Sequence, residues 1–79
     1  MTTIESYNQA FIKTFEIEDS KLNDLSYQSI TLWDSVGHMA LIAALEDAFE
    51  IMMEVDDIID FSSYEKGKQI LVEKYGVQF

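Results

Sequence analysis

Residues 33–49 read WDSVGHMALIAALEDAF. Asp34 and Ser35 are residue types that cap helix N-termini, because their side-chain oxygens accept hydrogen bonds from the first unpaired amides. The Ala, Leu and Met that follow favour helix, so the stretch predicts a helix beginning around Ser35 and running to about Phe49. Projected at about 100° per residue, Leu41, Leu45, Phe49, Ile42 and His38 gather into one stripe, the expected core side. Val36, Met39, Ala40, Ala43, Glu46, Asp47 and Glu50 fall opposite. Single exposed apolar residues are common and need no explanation, but here the first two turns of the outer face are apolar and its last turns are acidic. Those carboxylates lie at the helix end that the macrodipole disfavours, which suggests a use other than helix stability. An apolar patch edged by acids, next to a serine at the positive end of a helix, reads as a docking surface. The amides and dipole at that end favour an attached phosphate.

Two more helices flank this one. Thr2 and Glu5 have the spacing of a capping box, and Ile4, Tyr7, Phe11 and Phe15 then repeat at helical spacing, predicting a first helix from about Thr3 to Phe15. Ser62 and Glu65 repeat the capping-box spacing and predict a last helix from about Tyr64 to Tyr75, with Tyr64, Leu71 and Tyr75 on one face and Gly76 as its stop. Between them VDDIIDF is expected to form one short helical turn. The stretch from Glu16 to Asp34 is long for a structureless connection, and Leu22, Leu25, Tyr27, Ile30, Leu32 and Trp33 are expected to pack it over the helices. Strand signals are weak. The expected fold is all-α, a single domain over residues 1–79: a four-helix bundle with a long first loop and a short third helix.

The chain has 79 residues, so it is expected to bury only about 60–65% of its unfolded surface, which leaves room for one modest core and no deep catalytic cavity. Hydrophobic residues make up 48%, ordinary for a globular domain. Cysteine is absent, which excludes a disulfide framework and thiolate metal sites. No run of about 18 apolar residues predicts a membrane span, and no basic-then-apolar opening suggests a secretory signal; a cytoplasmic protein is expected. Fifteen acidic residues against five lysines give a net charge of -10. That balance disfavours nucleic acid and anionic lipid as partners and favours proteins with basic docking patches. Asp34 to Asp60 holds eight acidic residues and no basic one.

The Asp34-Ser35 pair opening a helix that closes in Leu45-Glu46-Asp47-Ala48-Phe49 resembles the acyl carrier protein family. The resemblance is specific from about Trp33 to Ile51 and is compatible with the whole chain. It implies that a phosphopantetheinyl transferase, using coenzyme A and magnesium, attaches 4'-phosphopantetheine to the hydroxyl of Ser35. The terminal thiol of the arm would then carry acyl or aminoacyl groups as thioesters for partner enzymes that load and transfer them. The carrier itself would be no enzyme and a monomer. By the same resemblance, Asp34 and Val36 flank the modified serine and contact the transferase. Met39, Ala43, Glu46 and Asp47 form the docking face, and Asp56 and Asp57 add acidic contacts from the short third helix. Leu41, Leu45, Phe49, Ile58 and Phe61 are candidate walls for a sequestered acyl chain, against the plainer reading of ordinary core. Many fatty-acid carriers have Leu and then Asp after the serine, where this chain has Val36 and Gly37. Glu54 stands where a proline is common. With Trp33 and His38, these departures point to a specialised stand-alone carrier.

Four other readings are weighed against it. A peptidyl carrier would resemble this chain too, but the Gly-Gly approach to its serine is absent. An unmodified acidic adaptor would share the docking face and need nothing on Ser35. Asp34, Ser35 and His38 hold the residue types of a hydrolytic triad in an order that does not suit one. The acids from Glu54 to Asp60 lack the ligand spacing of a calcium loop.

Overall fold

A computed structural model describes residues 2–79. Among these residues four α-helices follow one another: α1 (Thr3–Phe15), α2 (Ser35–Phe49), α3 (Val55–Asp60) and α4 (Tyr64–Tyr75), with one 3₁₀ turn at Asp19–Lys21. Among the described residues there is no strand, only one isolated bridge between Ser26 and Ser63.

Local chemistry places the helix ends. The Thr2 hydroxyl accepts from the Glu5 amide while the Glu5 carboxylate accepts from the Thr2 amide, so the expected capping box closes at both halves. Gly76 ends α4 with φ 69°, its amide donating to Leu71 O, as a left-handed C-terminal residue should. Glu16 and Glu50 end α1 and α2 in the same conformation with φ 54° each, a strained one for a residue with a Cβ. At the start of α4 the cap sits one residue later than the sequence spacing suggested. Ser63 is extended and its hydroxyl accepts from the Lys66 amide. Ser62 is engaged otherwise, its carbonyl accepting from the Tyr27 amide at 2.8 Å.

The core is aromatic and centred on Phe11. Its ring centroid lies 5.0 Å from Tyr7, 5.3 Å from Tyr64, 5.7 Å from Trp33 and 6.1 Å from Phe61. Leu41, Ile42 and Leu45 close it from α2, and Ile70 and Leu71 from α4. Each such buried side chain contributes roughly 1.5–3 kcal/mol relative to exposure. Ile4 and Phe49, expected on the core stripes, pack at its margin and are only partly buried. Gly67 brings α4 close, since a Cβ there would collide with Phe61 and the Tyr7 hydroxyl. That hydroxyl donates to Tyr64 O at 2.6 Å, and the Tyr64 hydroxyl donates to Asn8 Oδ1.

The long connection between α1 and α2 folds back as expected, burying Leu22, Leu25 and Trp33. Leu32, also expected to pack, is exposed, while Tyr27 packs edge-on against Trp33 and His38 and leaves 38% of its surface to solvent. The connection is also pinned by backbone bonds: Tyr64 N to Leu25 O at 2.9 Å beside the Ser26–Ser63 bridge, and Gln28 N to Trp33 O at 2.9 Å. Its last turn crosses the beginning of α2 so closely that a Cβ on residue 37 would fall onto the Leu32 carbonyl. Gly37 is what allows the crossing, and the crossing fixes where α2 begins.

Candidate functional site

The beginning of α2 is built by Asp34. Its carboxylate accepts from the Gly37 amide at 2.8 Å and its carbonyl from the His38 amide at 2.7 Å. Asp34 is therefore the cap, and the Ser35 hydroxyl stays outside the capping network on an exposed residue. The amides of Ser35 and Val36, as the first of the helix, have no acceptor within it. An anionic oxygen attached at Ser35 would meet two donors and the positive end of a fifteen-residue helix.

Ser35 lies on the rim of a groove of about 380 Å³ between α2, α3 and the long connection. Its walls are Tyr27, His38, Met39, Ile58, Ile59 and Phe61, with Ser62 also at its edge. His38 is held at both nitrogens: Nδ1 lies 3.0 Å from the Trp33 indole Nε1 and Nε2 lies 2.7 Å from the Ile58 carbonyl. With both nitrogens so engaged, and the Asp34 carboxylate on the Gly37 amide, these residues assemble no Ser–His–Asp relay.

Outward from Ser35 the surface is apolar, then acidic. Val36 is 78% exposed and Met39 54%. Ala43 and Asp47 are exposed farther along α2, and Asp34 and Asp56 are also exposed. The sequence reading missed that α3 extends the apolar part: Val55 and Ile59, four residues apart and so on one face, are 70% and 71% exposed. Their i, i+4 spacing was the available signal, masked by the shortness of the helix.

Two acids expected on the docking face do structural work. Asp57 is 3% exposed and cannot take part in a surface contact. Its carboxylate accepts from the Tyr75 hydroxyl at 2.6 Å and pairs with Lys74 Nζ at 3.1 Å, while the Tyr75 oxygen accepts from the Glu54 amide at 2.8 Å. The Tyr75 hydrogen bond, with Lys74 adding to it, holds the Asp57 carboxyl below the usual carboxylate range against the opposing effect of burial. Glu46 is half-buried, and its carboxylate accepts from the Met53 amide at 2.9 Å, tying down the chain that leaves α2. This gives a structural use to one of the acids that the macrodipole disfavours.

Of the candidate wall residues, Ile58 and Phe61 line the groove. Leu41 and Leu45 are closed inside the core, and Phe49 packs at the far end against Phe79, 6.3 Å between centroids. Among the described residues no group of His, Asp or Glu is placed to hold a metal ion, and no helix is long and apolar enough to cross a membrane.

The chain has no match among protein-family models, curated proteins or solved structures.

Proposed function

We propose that the protein is a carrier of the acyl carrier type, its four helices forming a bundle of that kind, with 4'-phosphopantetheine attached through a phosphodiester to Ser35. The observation that carries this reading is the state of Ser35. A hydroxyl released from capping duty by Asp34 stands at the start of a long helix, beside an apolar groove and on a face without lysine. The residues present suit the group: two helix-end amides for the phosphate and Met39, Ile58 and Ile59 for an apolar chain next to it. Bound there, the arm would supply the thiol that this chain lacks, and with it thioester chemistry. The protein's own residues orient the serine, expose it, and offer the docking surface.

That surface combines Val36, Met39, Ala43, Val55 and Ile59 with a rim of Asp34, Asp47 and Asp56. Partners are a phosphopantetheinyl transferase and enzymes that load or accept acyl or aminoacyl groups through basic patches, in the cytoplasm. Rim charges of this kind act chiefly on encounter rate and fade with salt.

The test is an intact-mass measurement after incubation with coenzyme A, magnesium and a broad-specificity transferase. One phosphopantetheine added to the full chain and none to Ser35→Ala is the expected result. No addition to the full chain, or an addition that survives Ser35→Ala, overturns the reading. The apolar strip over α2 and α3 favours a second reading, an unmodified adaptor, which predicts no mass gain.

A further inference from the structure

The helix α3 is six residues long and turns Val55 and Ile59 to solvent, so Ile58 is the one apolar residue it packs on the core, with Met53 and Phe61 buried just outside its ends. Two polar attachments add to that anchorage. Its beginning is tied to α4 through Asp57, Lys74 and Tyr75. Its end is tied to α2 through His38 and the Ile58 carbonyl.

The chemistry of the second attachment is fixed by its neighbour. An indole N–H donates and cannot accept, so His38 Nδ1 must be the acceptor for Trp33, at 3.0 Å. The neutral imidazole then carries its proton on Nε2, where it donates to Ile58 O at 2.7 Å. Trp33 is fully buried and its ring stacks on Phe15, 5.2 Å away, so the element that sets the tautomer is itself immobile. The imidazole stands edge-on to Phe61 at 6.1 Å and to Tyr27 at 5.6 Å, both walls of the groove beside Ser35.

We infer that His38 is a latch: it holds the last turn of α3 against the start of α2 and so sets how far the groove beside Ser35 opens. The latch itself stands on the hydrogen bonds. Its consequence for cargo rests on the carrier reading: with the latch closed, the groove takes up less of a long alkyl chain than it does with the latch released.

Two measurements test it without any transferase. The first uses the unmodified full chain. Imidazole ¹⁵N shifts of the neutral ring are expected to report the Nε2–H tautomer, and the Nδ1–H tautomer would overturn the latch with no variant needed. In His38→Ala the Phe61 amide at the end of α3 is expected to exchange about tenfold faster, the effect of one ordinary hydrogen bond, relative to Phe11 and Leu71. An equal acceleration at all three sites would mean that His38 only adds global stability. The second measurement exploits the absence of cysteine. Ser35→Cys gives a single thiol, which reacts with butyl or dodecyl methanethiosulfonate to form a mixed disulfide and release methanesulfinate. With His38 present, the butyl group is expected to be shielded from a soluble paramagnetic agent and the outer carbons of the dodecyl group to remain exposed. Adding His38→Ala should shield more of the dodecyl chain. A dodecyl chain shielded equally in both overturns that difference in uptake, while leaving the modification of Ser35 to be decided by its own mass measurement.

Discussion

Replacing Gly37 by alanine sets two opposed effects of known size against each other. Gly37 lies inside α2, where alanine is favoured by about 1 kcal/mol on helix propensity alone. A Cβ there would collide with the Leu32 carbonyl oxygen, and would stand 3.0 Å from the Leu32 carbonyl carbon and 3.3 Å from Phe15 Cε1. The obstacle is backbone and does not yield cheaply. Gln28 N bonds to Trp33 O and Trp33 N to Ile30 O on either side, and Trp33 is anchored in the core. Forcing an extra carbon into such a place costs typically 1–3 kcal/mol, about the upper end where backbone must move. The collision therefore wins, leaving a net loss of roughly 1–2 kcal/mol and a fall in Tm of about 4–15 °C for a domain of this size. Thermal unfolding followed by far-ultraviolet circular dichroism measures it. Because the same crossing places Asp34 and Ser35, the proposed function also predicts slower transfer of phosphopantetheine to Ser35. A Gly37→Ala protein as stable as the parent, or more so, would refute the close crossing and with it the account of how α2 is positioned.

Glu50→Gly removes a Cβ from a left-handed position; strain relief of about 1–2 kcal/mol against about 0.5–1 kcal/mol of added unfolded-state entropy predicts a Tm higher by a few degrees, and a lower Tm would deny the strain. Asp47→Lys should slow modification of Ser35 roughly 2–10-fold at low salt with helical content unchanged, whereas Glu46→Lys should also loosen the chain at Met53 and raise its amide exchange; equal, purely kinetic effects would contradict that distinction. On the acid side, the lowered Asp57 carboxyl contributes stability fully above its ordinary value of 3.8, lost as pH falls through the depressed value; Asp57→Asn should flatten that part of the pH–stability curve, and an unchanged slope would exclude the clamp. On the alkaline side, burial raises the Tyr7 and Tyr64 phenols above their ordinary value of 10.0, so their contribution is complete below pH 10 and lost above it. Tyrosinate absorbance from these two should then rise together with loss of helix, and ionisation of all four tyrosines within an intact fold would contradict their burial.

What the sequence made legible was local. The bounds of α1, α2 and α4 follow from caps and apolar spacing within a few residues of each end, and the exposed serine with Val36 and Met39 follows from one helix projection. What stayed hidden joins residues far apart in the chain. Nothing near Asp57 announces Lys74 and Tyr75, so a buried acid read as a surface one. His38 was placed on the core side by periodicity, but its bonds to Trp33 and Ile58 depend on how α3 docks. Tyr27 and Ser62 meet at the groove where the long connection bridges to the start of α4, and Ile59 reaches it from α3. The one-residue error in the cap of α4 has the same origin: Ser62 O is drawn into that bridge, and Ser63 takes over the helix end.

Trp33 is the sole tryptophan of the chain, fully buried, with its N–H donated to a residue one turn from Ser35. The protein thus contains its own optical probe. Emission from one indole in one environment is free of the averaging that several would impose, and the hydrogen bond to His38 ties that environment to the first turn of α2. Stopped-flow fluorescence can therefore time events at Ser35 on the native chain, with no dye attached and no residue exchanged.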